Sequence, residues 1–110
     1  MSVLDIIQQG VFSECTITLQ ISDKNQRNYI CVRSLRLLPG KRLTALAISD
    51  NKEYVIKIFA PYRRAQKEFL SEVKGYELLH SNAYDIPLRV YYGTANDNVN
   101  VIIYQYLAYT

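Results

Sequence analysis

The sequence predicts an α+β domain in which one helix packs on an antiparallel sheet of five to six strands. Three observations predict it. Four strand-like segments follow one another through short connections between residues 14 and 59. The apolar spacing then changes to a helical period over residues 62–80, and two further strand-like segments complete the chain.

Residues 2–9 alternate poorly and read as a short helix or a lead-in, so residues 1–13 are expected to form the lead-in of one domain spanning 1–110. Over 14–21 the alternation is clean: Cys15, Ile17, Leu19 and Ile21 share one face, and Thr16, Thr18 and Gln20 share the other. The stretch SDKNQRN is rich in turn formers and separates this strand from a second, YICVRSLRLL, at 29–38. Pro39-Gly40-Lys41 presets a tight turn, RLTALAIS (42–49) is the third strand, and SDNKE is another turn. The fourth strand, YVIKIF (54–59), is apolar on both faces apart from one lysine. Short connections between consecutive strands favour an antiparallel meander. In the helix, Ala65, Phe69, Val73, Tyr76 and Leu79 form one stripe at about 100° per residue. Ser81-Asn82 ends it, ahead of Pro87. IPLRVYYG (86–93) and VNVIIYQYL (99–107) are the last strands, joined by ANDN.

The chain has 110 residues, 49% of them apolar, which is enough for a single modest core. No apolar run reaches the roughly 18 residues of a membrane span. MSVLDIIQQG lacks the basic flank and cleavage site of a signal peptide, so a cytoplasmic location is expected. Cys15 and Cys31 are too few for a disulfide framework and read as small apolar strand residues. No metal-ligand set is expected. Net charge is +3, with basic residues gathered at Arg33, Arg36, Lys41 and Arg42 and again at Lys57, Arg63, Arg64 and Lys67. Such clusters suit phosphates or an ordinary solvated face.

Two charges stand where apolar residues belong. Lys57 is flanked by Val55, Ile56, Ile58 and Phe59, so it either points to water from an edge strand or finds a negative partner. Glu72 falls about −20° from Ala65 on the helical wheel, inside the apolar stripe, whereas Glu68 and Glu77 lie near its edges. Glu72 either reaches sideways to solvent or meets Lys57. Pairing alone often fails to offset the desolvation of two ions. An ammonium oriented by a carboxylate beside an open cleft is instead a phosphate anchor.

Strand-turn-strand, then VIKIF, then a helix carrying Glu72, then two strands, resembles the N-lobe of protein kinases. RLLPGKRLTAL followed by VIKIF and SEVKGYELL is similar to the lipopolysaccharide core (heptose/Kdo) kinases, which carry an LPGKR-type turn in place of a Gly-rich loop. The resemblance covers residues 33–107. It implies that Lys57 contacts the α/β-phosphates of ATP and pairs with Glu72, that Pro39, Gly40, Lys41 and Arg42 cover the phosphates, and that Val55 helps roof the adenine. It further implies that Gln105, Tyr106 and Leu107 form the hinge that bonds the adenine edge. In that family the catalytic and magnesium-binding carboxylates belong to a second lobe, and the chain stops where that lobe would begin. No catalytic residue is therefore expected within this chain, ATP binding in isolation is expected to be weak or absent, and magnesium would require the second lobe. His80 reads as a capping or surface residue; Asp50, Asp85 and Asp97 read as turn residues.

Three functional readings follow: the ATP-binding small lobe of a kinase-like protein, a stand-alone lobe that regulates a partner in the manner of an antitoxin, or a small basic nucleic-acid-binding module, the least favoured. A missing second lobe would leave an exposed seam at the 99–110 strand and the inner sheet face. A C-lobe, a partner protein or a second copy would cover Tyr104, Tyr106 and Leu107 there. A lipopolysaccharide kinase would also sit peripherally at the inner membrane.

Overall fold

The computed structural model describes residues 2–81 and 88–106, with the side chains of 79–81 left aside. The elements are α1 (Val3–Gln9), β1 (Cys15–Ser22), β2 (Asn25–Leu38), β3 (Arg42–Ser49), β4 (Lys52–Phe59), α2 (Ala65–Ser81), β5 (Arg89–Thr94) and β6 (Asn100–Gln105), with one 3₁₀ turn at Asn96–Asn98. All six strands form one antiparallel sheet in the order β1-β2-β3-β4-β6-β5. The predicted class is observed, with two helices where one was expected.

Two predicted turns are shorter than their composition implied. Asn25, Gln26 and Arg27 find ladder partners in Ser22, Gln20 and Leu19, so only Asp23-Lys24 remain as the β1–β2 turn. Lys52 and Glu53 likewise join β4 opposite Ser49 and Ile48. The turn that remains, Asp50-Asn51, has φ of 50° and 63°. Two consecutive positive φ values match the right-handed twist of a two-residue hairpin, and Asp and Asn tolerate them better than other side-chain-bearing residues. In both places pairing across the sheet overrides local turn propensity.

The sheet curls until its first and last strands nearly meet. No ladder joins β1 to β5; one side chain bridges the gap instead. Asn96 accepts from the Thr18 amide at 2.8 Å and donates to the Thr16 carbonyl at 3.4 Å, mimicking a peptide group of a neighbouring strand. This treatment of an otherwise exposed edge leaves the sheet close to a barrel.

The curl encloses the main core: Ile17, Leu19, Leu43, Ile56, Ile58 and Ile103 are all at most 1% exposed, packed with Tyr29 and the alanines Ala45 and Ala47 of β3. Ile21, expected on this face, is 51% exposed, because the register shifts between Gln20 and Ser22 and carries the strand end away from cover. The lead-in is part of the core. Val3, Ile6 and Ile7 lie at helical spacing and are buried in the same cluster. Ser2 caps α1 through the Asp5 amide at 3.1 Å, and Gly10 ends it at φ 74°. A side chain at Gly10 would meet Pro39 at 2.9 Å, so glycine serves both the left-handed cap and the close approach.

The second helix packs on the outer face of the sheet. Ala65, Phe69 and Val73 of its predicted stripe are buried, and Phe69 and Val73 form a smaller cluster with Phe59 and Ile102. Edge-to-face contact of Phe59 and Phe69, with centroids 5.7 Å apart, fixes the helix over β4.

Candidate functional site

Alternation along β4 sends Tyr54, Ile56 and Ile58 into the curled core and Val55, Lys57 and Phe59 to the outer face. Between β3 and β6 the strand is central, so the edge-strand alternative for Lys57 does not hold. The Lys57 ammonium donates to both carboxylate oxygens of Glu72, at 2.9 and 3.0 Å. Glu72 also receives the Arg42 guanidinium at 3.6 Å. Arg42 is further seated over the Phe59 ring at 5.7 Å. The Lys57, Arg42 and Glu72 side chains are 34%, 29% and 26% exposed, so the cluster is partly desolvated yet open to a ligand. One carboxylate between two cations leaves it net positive.

The register arranges the outer face in rows. Thr44, Lys57 and Ile102 form one row across β3, β4 and β6, and Leu46, Val55 and Tyr104 form the next. Successive rows on one face lie about 6.7 Å apart. An apolar shelf thus runs beside a cationic row. On β2, the register puts Arg36 opposite Thr44 and Arg33 opposite Leu46, extending positive charge along the same face. The first basic cluster of the sequence therefore divides: Arg42 reaches the Lys57–Glu72 pair, Arg36 lies in the Lys57 row, Arg33 lies at the end of the Leu46 row, and Lys41 lies exposed in the turn. Of the second cluster, Arg63 and Lys67 line a shallow groove on α2 with Leu70 and Lys74, apart from Lys57.

Other predicted site residues are placed differently from one another. The Gly40 amide donates to the Ile7 carbonyl at 2.8 Å, and the Lys41 amide to the Leu38 carbonyl at 3.0 Å. Pro39 lies against Gly10. The turn is thus clamped to α1, its two amides are engaged, and of the segment 39–42 only Arg42 reaches the cluster. The Gln105 amide donates to the Leu88 carbonyl and the Tyr106 amide to the Glu53 carbonyl, at 2.9 and 3.3 Å. Leu107 lies outside the described residues, as does Asp85; of His80 only the helical backbone is described. Among the described residues, no three metal-ligating side chains come together, and no helix is long and apolar enough to cross a membrane.

Arg89 was not singled out by sequence reasoning, although it holds α2 in place. Its guanidinium donates to the Val73 carbonyl at 3.1 Å and to Glu77 at 3.3 Å. It stacks on the rings of Tyr76 and Tyr92 at 4.5 and 4.4 Å, and its own amide donates to the Tyr76 hydroxyl at 2.8 Å. Val73 follows Glu72 directly, so this clamp sets the depth at which Glu72 meets Lys57. An arginine in the strand-like run IPLRVYYG was the one available signal. Nearby, burial first and then the Glu72 carboxylate push the Tyr104 phenol up to about 12. Just ahead of α2, burial and a hydrogen bond to Glu68 raise Tyr62 to about 12.

In comparisons with known proteins, no family model, curated protein or solved structure matches the chain.

Proposed function

We propose that the outer sheet face binds the phosphates of a nucleotide, and that the chain acts as the ATP-binding small lobe of a kinase-like protein resembling the lipopolysaccharide core kinases. The observation that carries this reading is the ion pair itself: Lys57 held by both oxygens of Glu72 on a central strand, at the margin of an open sheet face. The order of elements supports it, since the helix carrying Glu72 lies between the lysine strand and the final two strands. The apolar row Leu46-Val55-Tyr104 suits a purine base, and the neighbouring row suits its phosphates. Because the Gly40 and Lys41 amides are engaged, the phosphates are taken by the Arg42 and Lys57 side chains rather than by loop backbone. Chemistry beyond binding requires a second lobe or partner to supply magnesium and a positioned nucleophile.

A stand-alone regulatory role is the second reading. It draws on the exposed apolar residues Ile30, Val32 and Ile48 of β2 and β3, which suit a protein partner.

Calorimetric titration with magnesium-ATP tests the first reading. Weak binding is expected, in the high micromolar to millimolar range, lowered at least tenfold by Lys57→Ala while the fold is retained by circular dichroism. Binding that survives Lys57→Ala unchanged overturns it.

A further inference from the structure

Cys15 and Cys31 stand directly opposite each other on the neighbouring strands β1 and β2. Both are free, and both point into the curled core, where they are 7% and 0% exposed. Their separation in sequence hid this; only the hairpin register brings them together. Directly opposed residues of an antiparallel pair have Cα atoms about 4.5 or 5.5 Å apart, depending on the type of pair. Both separations fall within the span of roughly 4.4–6.8 Å that a disulfide bridges. The pair also differs from two isolated buried thiols, because each thiol acts on the other. Interaction with Cys31 holds the Cys15 thiol below its ordinary value. The same interaction, joined by burial, pushes Cys31 up.

We propose that Cys15 and Cys31 form a reversible redox pair, a dithiol in the structure described here that closes to an intrachain disulfide by exchange with a small-molecule disulfide. Cys15 is the entry point. It opens β1 directly after the exposed residues Ser13 and Glu14, and is the less buried of the two. As thiolate it attacks one sulfur of oxidised glutathione and releases one glutathione thiolate. Cys31, losing its proton to solvent, then attacks the Cys15 sulfur of the mixed disulfide and releases the second glutathione. Two protein thiols and one oxidised glutathione give one protein disulfide and two reduced glutathiones, so the exchange balances. The bond ties the start of β1 to β2 at the point where the β2–β3 register shifts, between Cys31 and Arg33. It thereby fixes the strand whose other edge is held by Asn96.

The test is incubation of the folded protein with oxidised glutathione, followed by alkylation in denaturant, intact-mass measurement and thermal unfolding. The wild type is expected to lose the mass of two hydrogens, to take up no alkylating agent, and to unfold roughly 10 °C higher, since the loop of residues 16–30 is closed. Dithiothreitol should reverse all three changes. Cys31→Ala should stop at one glutathione on Cys15, with no rise in unfolding temperature. A wild type that retains two alkylatable thiols, that accumulates a stable glutathione adduct, or that crosslinks only between chains overturns the proposal.

Discussion

The two faces of the one sheet are built to opposite specifications. The inner face, closed by the curl and plugged by α1, is mostly apolar, with Ile17, Ile56, Ile58 and Ile103 inaccessible to solvent. The outer face is only half covered by α2. It gathers the Lys57–Glu72–Arg42 cluster and the Arg89 clamp around a four-residue apolar patch. The difference runs through single strands, because alternate side chains of β4 enter opposite faces. Stability resides where every neighbour is apolar, because burial there is not offset by desolvated charge. Charge is gathered where it stays half-exposed, and such pairs contribute about 0–1 kcal/mol to stability.

Adjacent residues of β4 offer the sharpest way to break this comparison. Ile58→Ala on the inner face is expected to destabilise by about 3–4 kcal/mol through lost burial and the cavity left behind. Lys57→Met one position earlier, on the outer face, should change stability by no more than about 1 kcal/mol. Urea unfolding of the two variants checks both; equal costs would erase the distinction. Next in size is Arg89→Ala, which removes the donors to Val73 and Glu77 and two ring stacks. A loss of about 2 kcal/mol is expected. Faster hydrogen exchange should be confined to α2, with the inner strands unchanged. Below Arg89→Ala in size is an alkaline effect. Tyr104 has its phenol raised to about 12 in the folded state against 10 for the ordinary group. The unfolded chain therefore loses this proton first, and stability that is complete below about pH 10 declines as pH climbs towards 12. The expected decline is on the order of 1–2 kcal/mol after allowance for partial exposure. Tyr104→Phe should flatten it in a pH series of urea midpoints.

The fold was legible where periodicity is local. Alternation over 15–19 and the helical stripe Ala65-Phe69-Val73 appear as expected, and the misplaced carboxylate in that stripe was visible by counting angles. Hairpin ends were not legible, because Asn25–Arg27 and Lys52–Glu53 are turn-rich in composition and become strand only through their partners. α1 was legible only as one of two alternatives, a short helix or a lead-in, because Val3, Ile6 and Ile7 have helical spacing but span too few residues to establish a period. The Asn96 bridge, the Arg89 clamp and the docking of the Gly40 turn on Ile7 all join segments far apart in the chain.

By itself the sequence determined the alternation of apolar side chains, the order of strands and helix, and the presence of one cation and one anion in apolar surroundings. These follow from the covalent chain and the burial of hydrocarbon. Only the tertiary structure decided which residues face one another. Sheet register and curl depend on pairing between distant segments, and that pairing set Lys57 against Glu72, Cys15 against Cys31, and Asn96 across the gap between β1 and β5.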